Sequence, residues 1–327
     1  MKVIDFHCDT LSELRHGVYR GEKIDFGKNE LQIDLEKLKK GDYAMQCFAL
    51  FINLGDPYNP LVTALEQVDL FHDMLKQYHD DIAQVFTWDD YEKNKKAGKI
   101  SALLTIEEGG CCQGNTSVLR IMHELGVRIM TLTWNYENEL AYPNSVPGNA
   151  AIVYPCAADT KNGLKDKGIE FVQEMERLGI LIDVSHLSDA GFWDVVKHTK
   201  KPFIASHSNA RALCGHCRNL TDDMIRVIAE RGGITGLNYC ASFLEEGENP
   251  RSRVEFMAKH AAYIKNVGGI DILGLGSDFD GIEGDLEMYD ASCLPMLERE
   301  LKKQHFTENE IEKIFHGNAE RVLKEVL

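Results

Sequence analysis

The chain has 327 residues, of which 44% are hydrophobic and 27% are charged, a composition typical of a soluble globular protein. Its formal net charge of −16 argues against binding to nucleic acid or to anionic membranes, because both would repel it. No segment approaches the run of about 18 apolar residues that a transmembrane helix needs, and the first apolar run is too short for a signal peptide, so we expect a cytoplasmic protein with reduced cysteines.

Short runs of apolar and β-branched residues recur along the chain and predict eight β-strands. The predicted strands cover residues 3–7, 44–52, 100–107, 127–134, 179–186, 202–208, 232–239 and 271–278. Amphipathic segments lie between most of them, and three of these, 118–126, 170–179 and 224–233, end in glycine as helices often do. Several predicted strands are apolar on both faces, which is typical of a parallel sheet covered by helices.

This alternation of strands and helices predicts an α/β fold. We expect a (β/α)8 barrel of the TIM type, in preference to a doubly wound open sheet. One barrel domain would cover residues 1–327, with loop insertions near residues 10–40, 135–163 and 240–255. The last segment opens with a capping box of Thr307 and Glu310 and is predicted to form a closing helix.

Polar side chains stand where several of the predicted strands end. They are His7, Asp9, Glu107, Glu108, His186, His207, Asp278 and Asp280. In a barrel the carboxyl ends of all strands meet on one face, where catalytic residues gather. Each residue alone has an ordinary structural explanation, such as a helix cap or a turn. Their coincidence across five strands favours a metal site built from nitrogen and oxygen ligands.

Five candidate ligands exceed the need of one catalytic zinc ion, which keeps a coordination position open. Two metal ions bridged by one carboxylate would use all five. Glu107 is the expected bridge, with His7 and Asp9 on one ion and His186 and His207 on the other. Glu108 is the reserve candidate, because adjacent residues of a strand face opposite sides and only one of the two glutamates can point into the barrel mouth.

Five sequence motifs, in this order, match a known family. They are HCD at 7–9, TIEEGG at 105–110, DVSH at 183–186, SHSNAR at 206–211 followed by RN at 218–219, and GSDFDG at 276–281. Together they resemble the membrane (renal) dipeptidase family of zinc metallopeptidases over nearly the whole chain. The resemblance implies a dinuclear centre that hydrolyses dipeptides, including those with a D-residue at the C-terminal side, by a metal-bridging hydroxide. Zinc is the expected metal, with Mn²⁺ or Co²⁺ as alternatives.

The resemblance also implies a role for individual residues. The implied metal ligands are His7, Asp9, Glu107, His186 and His207, with Glu107 bridging. Arg218 would pair with the free carboxylate of the substrate, a task that suits a guanidinium. Asp278 would take a proton from the attacking water and deliver it to the leaving amine. A homodimer is compatible with the resemblance.

One position departs from the family pattern. The family has a histidine at the end of the fourth strand that helps to hold the substrate carbonyl, and this chain has Trp134 there. The Nε1–H of Trp134 or the amide of Asn135 is a candidate replacement for that histidine.

Two other functions stay open on the sequence. One is a metal hydrolase of the broader amidohydrolase type that acts on another amide, a lactone or an ester. The other is a catalytically silent metal-binding protein, which the tryptophan at position 134 would favour. The pair Cys214 and Cys217 has the spacing of a redox motif, but it follows a strand by several residues, so we interpret it as part of a loop.

Overall fold

A computed structural model describes residues 1–145 and 156–327. Its strands form one sheet of parallel pairs in the order β6-β5-β4-β2-β1-β8-β7, with β3 paired to β4. The strands are β1 Val3–Asp5, β2 Tyr43–Phe51, β3 Ile82–Gln84, β4 Ile100–Glu107, β5 Val127–Thr131, β6 Leu181–Asp183, β7 Thr235–Leu237 and β8 Leu273–Leu275.

The two ends of the sheet are joined through Ile204 and Ala205. Ile204 bridges to Asp183 of β6, and Ala205 bridges to Thr235 of β7, both in parallel. Seven of the strands and the segment of Ile204 and Ala205 thereby close a ring of eight, with β3 outside that path, and the predicted (β/α)8 barrel is confirmed. The predicted strand 202–208 is much shorter than expected, because the N–H of Ser206 donates to the side chain of Asp183 instead of to a neighbouring strand. Strand β3 was not predicted at all.

Helices follow most of the strands and cover the outside of the sheet. They are α1 Thr10–Arg20, α2 Leu35–Lys40, α3 Pro60–Gln77, α4 Trp88–Ala97, α5 Thr116–Glu124, α6 Asp166–Leu178, α7 Asp189–His198, α8 Asp222–Glu230, α9 Ala241–Leu244, α10 Val254–Gly268, α11 Leu294–Lys303, α12 Glu308–Glu312 and α13 Asn318–Val326. Short 3₁₀ turns lie at Gly109–Cys112, Ile270–Ile272 and Ala291–Cys293, and a π-helical turn joins α12 to α13 at Lys313–Gly317.

The predicted loop near 10–40 is wrong, since it contains α1 and α2, and the predicted loop near 240–255 contains the short helix α9 and the start of α10. The predicted loop 135–163 includes residues 146–155, which lie outside the described residues. Within the described residues of that stretch, no helix or strand is present.

Two buried apolar clusters surround and fill the barrel. The inner one contains residues from seven strand segments and from α13: Ile4, Phe6, Met45, Cys47, Leu103, Ile129, Leu181, Ile204, Ile234, Ala319, Val322 and Leu323. Helix α13 closes the amino-terminal end of the barrel, where Asn318 Nδ2 donates to the carbonyl oxygens of Ile270 and Leu273 at the start of β8. The carboxyl end of the barrel therefore remains open for a site.

Two further features concern the predicted environment of the protein. Cys156 and Cys217 form a disulfide, so the expectation that every cysteine is reduced is wrong, while Cys214 is free and buried. In residues 1–145 and 156–327, no helix combines the length and the apolar character that crossing a bilayer requires.

Candidate metal centre

All five predicted metal ligands are buried and lie together at the carboxyl ends of the barrel strands. They are His7 and Asp9 after β1, Glu107 at the end of β4, His186 after β6 and His207 after the bridging pair Ile204 and Ala205. Their ligand atoms form overlapping groups of three, one of His7, Asp9 and Glu107 and one of Glu107, His186 and His207, with all atoms of a group within 4.8 Å of one another. These are the nitrogen and oxygen donors that zinc and related divalent metals prefer.

Glu107 lies between the two groups. Its Oε2 is 3.3 Å from His7 Nε2, and Asp9 Oδ2 is 3.4 Å from the same nitrogen. Its Oε1 is 2.9 Å from His186 Nε2 and 3.4 Å from His207 Nε2. Each oxygen of Glu107 therefore faces a different half of the site, which is the arrangement that a bridging carboxylate requires.

The polar atoms of the centre fit a cation. His7 Nε2 and Asp9 Oδ1 are buried without a hydrogen-bond partner among the described residues. Burying such atoms without partners is costly, and a bound cation would satisfy both. His186 Nε2 and His207 Nε2 also lie only 3.0 Å apart. If both rings carry their proton on Nδ1, two lone pairs face each other there, and a cation between them would remove that repulsion.

The two halves of the centre differ in charge. Burial favours the neutral form of His7, but the carboxylates of Glu107 and Asp9 outweigh it and raise the pKa of His7 well above its usual value. Burial and the charge of Glu107 raise the pKa of Asp9 to about 8. Burial and the positive charge of Arg218 lower the pKa of His186 to about 4. The imidazole of His186 is therefore neutral near pH 7, which is the form that ligates a metal.

Asp278 stands at the edge of the centre after β8. Its Oδ2 accepts a hydrogen bond of 2.9 Å from Asn238 Nδ2, and its Oδ1 is 3.8 Å from His7 Nε2. Burial raises the pKa of Asp278 above its usual range. The loop also approaches Asp9 closely at Gly281, where a Cβ atom would lie 2.1 Å from Asp9 Oδ2. The loop after β8 can therefore bring Asp278 close to the metal ligands.

Arg218 is 2% exposed, and it lines the cavity that opens onto the centre. Its Nη1 donates to the carbonyl oxygen of Ser185 and, at 3.2 Å, to Ser208 Oγ, while its Nη2 lies 2.9 Å from His186 Nε2. Its Nε–H has no hydrogen-bond partner among the described residues. The ring of Phe243 lies 5.2 Å from the guanidinium carbon. The Nε–H of Arg218 is thus a buried donor without a partner, in a residue that lines the cavity.

The cavity has a volume of about 300 Å³ and is lined by apolar residues on one side and by charged residues on the other. Trp134 lies on the apolar side, where its ring centre is 4.9 Å from that of Phe51 in an edge-to-face contact and 6.3 Å from that of His186. Asn135 points to the centre rather than into the cavity, since its Oδ1 is 3.2 Å from His186 Nδ1. Its amide oxygen therefore accepts from the imidazole N–H of His186.

Glu108, the reserve candidate for the bridge, faces away from the metal ligands. Its Oε2 accepts from the backbone N–H of Trp134 at 2.8 Å, and its Oε1 accepts from the backbone N–H of Gly110 at 2.7 Å and from Asn138 Nδ2. Its backbone φ is +97°, which is unusual for a residue with a side chain. Glu108 thus anchors the segment that carries Trp134. Asp280 likewise binds protein groups, accepting from Thr10 Oγ1 and from the N–H of Gln32, both at 2.6 Å.

Sequence reasoning missed two buried aspartates that support the ligands. Asp5 Oδ1 accepts from the backbone N–H of His7 at 3.2 Å and of Ser277 at 2.9 Å. Asp183 binds the segments before His186 and His207 in a similar way. Both aspartates lie two or three residues before a ligand, inside an otherwise apolar strand, and an acidic residue at such a position was the signal available in the sequence.

Comparisons with known proteins point to one family. A family model described as membrane dipeptidase (peptidase family M19) matches residues 1–327. Dipeptidase aclJ of Aspergillus oryzae is 31% identical over 332 residues, which cover 98% of this chain and 76% of that protein. An uncharacterized dipeptidase of Schizosaccharomyces pombe is 32% identical, over 99% of this chain and 80% of that protein. The crystal structure of a metallopeptidase from Rhodobacter sphaeroides, liganded with a phosphinate mimic of the dipeptide L-Ala-D-Ala, has a TM-score of 0.90 and 26% identity, covering 100% of this chain and 99% of that chain.

Proposed function

The chain belongs to the membrane dipeptidase family of metallopeptidases, and on that premise we propose that it hydrolyses dipeptides at a centre of two divalent metal ions. The observation that carries the dinuclear arrangement is the position of Glu107, whose two oxygens face different histidines. The proposed ligands are His7 and Asp9 for one ion, His186 and His207 for the other, and Glu107 for both. Zinc suits this donor set best, and Mn²⁺ or Co²⁺ would suit it as well.

When bound, the ions would supply Lewis acidity, which makes a water molecule nucleophilic near neutral pH and stabilises negative charge on the carbonyl oxygen. The remaining steps fall to side chains of the chain itself. Asp278 is proposed to accept the proton of the attacking water and to pass it to the leaving amine. Asn238 supports this role, because it holds Asp278 Oδ2 and leaves Oδ1 directed towards His7.

Arg218 is proposed to bind the free carboxylate of the substrate. Its place in the lining of the cavity and its positive charge favour a charge-assisted hydrogen bond to a carboxylate. A longer peptide would have a neutral amide where the carboxylate of a dipeptide lies, so this contact would restrict the enzyme to dipeptides. The ligand of the Rhodobacter sphaeroides enzyme, a mimic of L-Ala-D-Ala, supports a substrate range that includes a C-terminal D-residue.

Trp134 is proposed to contact the substrate from the apolar side of the cavity. Of the two candidates that would replace the family histidine, Trp134 is the better one, because Trp134 lines the cavity and Asn135 is not among its lining residues. The indole Nε1–H would then be the group that donates to the substrate carbonyl.

Release of amino acids from L-Ala-L-Ala and L-Ala-D-Ala tests the proposal. The enzyme is stripped of metal and reloaded with Zn²⁺ or Mn²⁺, and the ions bound per chain are counted by elemental analysis. We expect hydrolysis that depends on added metal and reaches its maximum at two ions per chain. Two bound ions without hydrolysis of any dipeptide would contradict the substrate, and full activity with one ion would contradict the dinuclear centre.

A further inference from the structure

Asp183 is a buried carboxylate, 1% exposed, that receives hydrogen bonds from three neighbouring strand ends. Its Oδ1 accepts from the N–H of Ser185 at 3.0 Å, from Ser185 Oγ at 2.6 Å and from the N–H of Ser206 at 2.9 Å. Its Oδ2 accepts from Ser206 Oγ and, at 3.0 Å, from Thr131 Oγ1. All of these donors are neutral, and together they satisfy both oxygens of the carboxylate.

Ser206 connects this carboxylate to a proposed metal ligand. Its Oγ lies 2.6 Å from His207 Nδ1 and also contacts Asp183 Oδ2. An ionised carboxylate can only accept, so the single hydroxyl proton of Ser206 points to Asp183. Ser206 Oγ therefore accepts from the Nδ1–H of His207. A proton on Nδ1 leaves a lone pair on Nε2, the nitrogen that lies 3.4 Å from Glu107 Oε1.

We propose that Asp183 and Ser206 are positioning residues that fix the tautomer and ring orientation of His207, and so strengthen metal binding in the half of the centre that contains His186 and His207. The inference rests on the proposed metal centre. Neither positioning residue lines the cavity, and the contact that reaches the centre from Ser206 is the one to His207. A carboxylate behind a ligating histidine also raises the basicity of the imidazole.

His186 provides a contrast within the same site. Its Nδ1 is 3.2 Å from the amide oxygen of Asn135, which is partly exposed and neutral. The partner of His207 is closer, fully buried and backed by a carboxylate. We therefore expect the support of His207 to contribute more to metal affinity than that of His186.

The test is metal binding by a Ser206→Ala variant, measured without substrate by competition with a chromophoric chelator of Zn²⁺. We expect the affinity for one of the two ions to fall about 10–100-fold. Thr131→Val is the matched control, because it removes a hydrogen bond to the same oxygen of Asp183 without touching His207. Its zinc affinity should stay close to that of the wild type. At saturating zinc, Ser206→Ala should keep the wild-type KM for a dipeptide, since Ser206 lies outside the cavity.

Equal zinc affinity in Ser206→Ala and the wild type, or an equal loss in Thr131→Val, would overturn the inference and leave the proposed function intact. Absence of dipeptide hydrolysis, with the affinity loss as expected, would overturn only the proposed function. A second measurement needs no variant at residue 206: in the zinc-loaded wild type with ¹⁵N-labelled histidine, NMR should place the imidazole proton of His207 on Nδ1. Assignment uses the signals lost in His207→Gln, and a proton on Nε2 would overturn the inference.

Discussion

Replacement of Arg218 by lysine tests how the substrate is held. Lysine keeps the positive charge but replaces a planar set of five N–H donors by a single ammonium group. In the structure, Arg218 lines the cavity, and a carboxylate bound there by two of its N–H groups would take the place of bonds that the Nη groups make to protein acceptors. The variant should therefore lose the paired hydrogen bonds to the substrate while keeping a cation near the site.

The size of the effect follows from the number of bonds lost. A hydrogen bond to a charged group contributes about 1.5–3 kcal/mol, and the lysine ammonium can retain one of the two. The net loss of one such bond, about 1.5–3 kcal/mol, corresponds to a fall of about 10–100-fold in kcat/KM for a dipeptide. The C-terminal amide of the same dipeptide lacks the carboxylate, so the wild type should already cleave it poorly and Arg218→Lys should lower that rate little further.

The assay is a double comparison of two enzymes and two substrates, the dipeptide and its C-terminal amide. The coupling energy between the change at Arg218 and the change of the substrate carboxylate to an amide isolates the contact between the guanidinium and the carboxylate. Arg211→Lys is the matched control for structural damage. Arg211 belongs to the same loop, pairs with Asp189 through two hydrogen bonds of 2.7 and 2.8 Å and lies outside the cavity. That control should change kcat/KM little.

Two results would refute this reasoning about Arg218. If Arg218→Lys lowers kcat/KM equally for the dipeptide and its amide, the guanidinium does not bind the carboxylate and acts through its bonds to Ser185 and Ser208. If the wild type cleaves the amide as well as the dipeptide, the free carboxylate is not recognised at all. Circular dichroism and elemental analysis of each variant show whether the fold and the bound metal are retained.

Three further expectations concern individual side chains. Glu107→Gln should bind fewer metal ions per chain by elemental analysis. Glu108→Gln should keep its metal and lose thermal stability, because the carboxylate of Glu108 accepts three protein hydrogen bonds. The reverse pattern would exchange the roles of the two residues. Trp134→Phe should lower kcat about 5–10-fold, the value of one neutral hydrogen bond, with little change in KM; an unchanged kcat would exclude the indole N–H as a donor to the carbonyl. Burial lowers the pKa of His260 from 6.5 to about 4, so the unfolded chain takes up a proton at this histidine before the folded chain does as the pH falls. The free energy of unfolding should therefore drop by about 3 kcal/mol between pH 6.5 and 4. Denaturant unfolding of His260→Gln should show a flatter pH dependence in that range, and a pH dependence identical to that of the wild type would contradict this account.

The barrel, the family and the metallopeptidase class could be predicted from the sequence, and all three are confirmed. These predictions depended on local signals: apolar runs, helix periodicity, and polar residues such as His7 and Glu107 directly after a strand. Apart from β3, the order of strands around the ring also follows the chain order, because parallel strands joined by helices lie next to each other. The roles of the individual site residues stay predictions that the variants above test.

The strand ends could not be predicted, because distant side chains set them. Asp5 accepts the N–H of Ser277, which is 272 residues away in the sequence, and so ends β8 before the predicted strand ends. Periodicity contains no information about such a contact. The disulfide between Cys156 and Cys217 likewise joins residues 61 positions apart, and nothing in their spacing distinguishes this pair from the nearer pair of Cys214 and Cys217.

His7 reaches the centre by breaking the alternation of its strand. Phe6 belongs to the cluster inside the barrel, so a regular strand would turn the next side chain towards the outer helices. The strand ends at Asp5, whose carboxylate takes the N–H of His7 in place of a neighbouring carbonyl oxygen. Pairing resumes at Cys8, which bridges to Phe279, so the irregularity is local to His7, whose side chain lies beside Asp9 and Glu107.

The same argument applies across the barrel. Ile204 is inside the barrel and Ala205 packs in the outer cluster, so alternation would turn His207 outwards. The N–H of Ser206 donates to Asp183 instead of to a carbonyl oxygen, while pairing with β7 continues through the N–H of Ser208, which donates to Gly236. Asp5 and Asp183 therefore each accept one backbone N–H at the end of a strand, next to His7 and His207. These hydrogen bonds explain why charged residues occupy the ends of otherwise apolar strands.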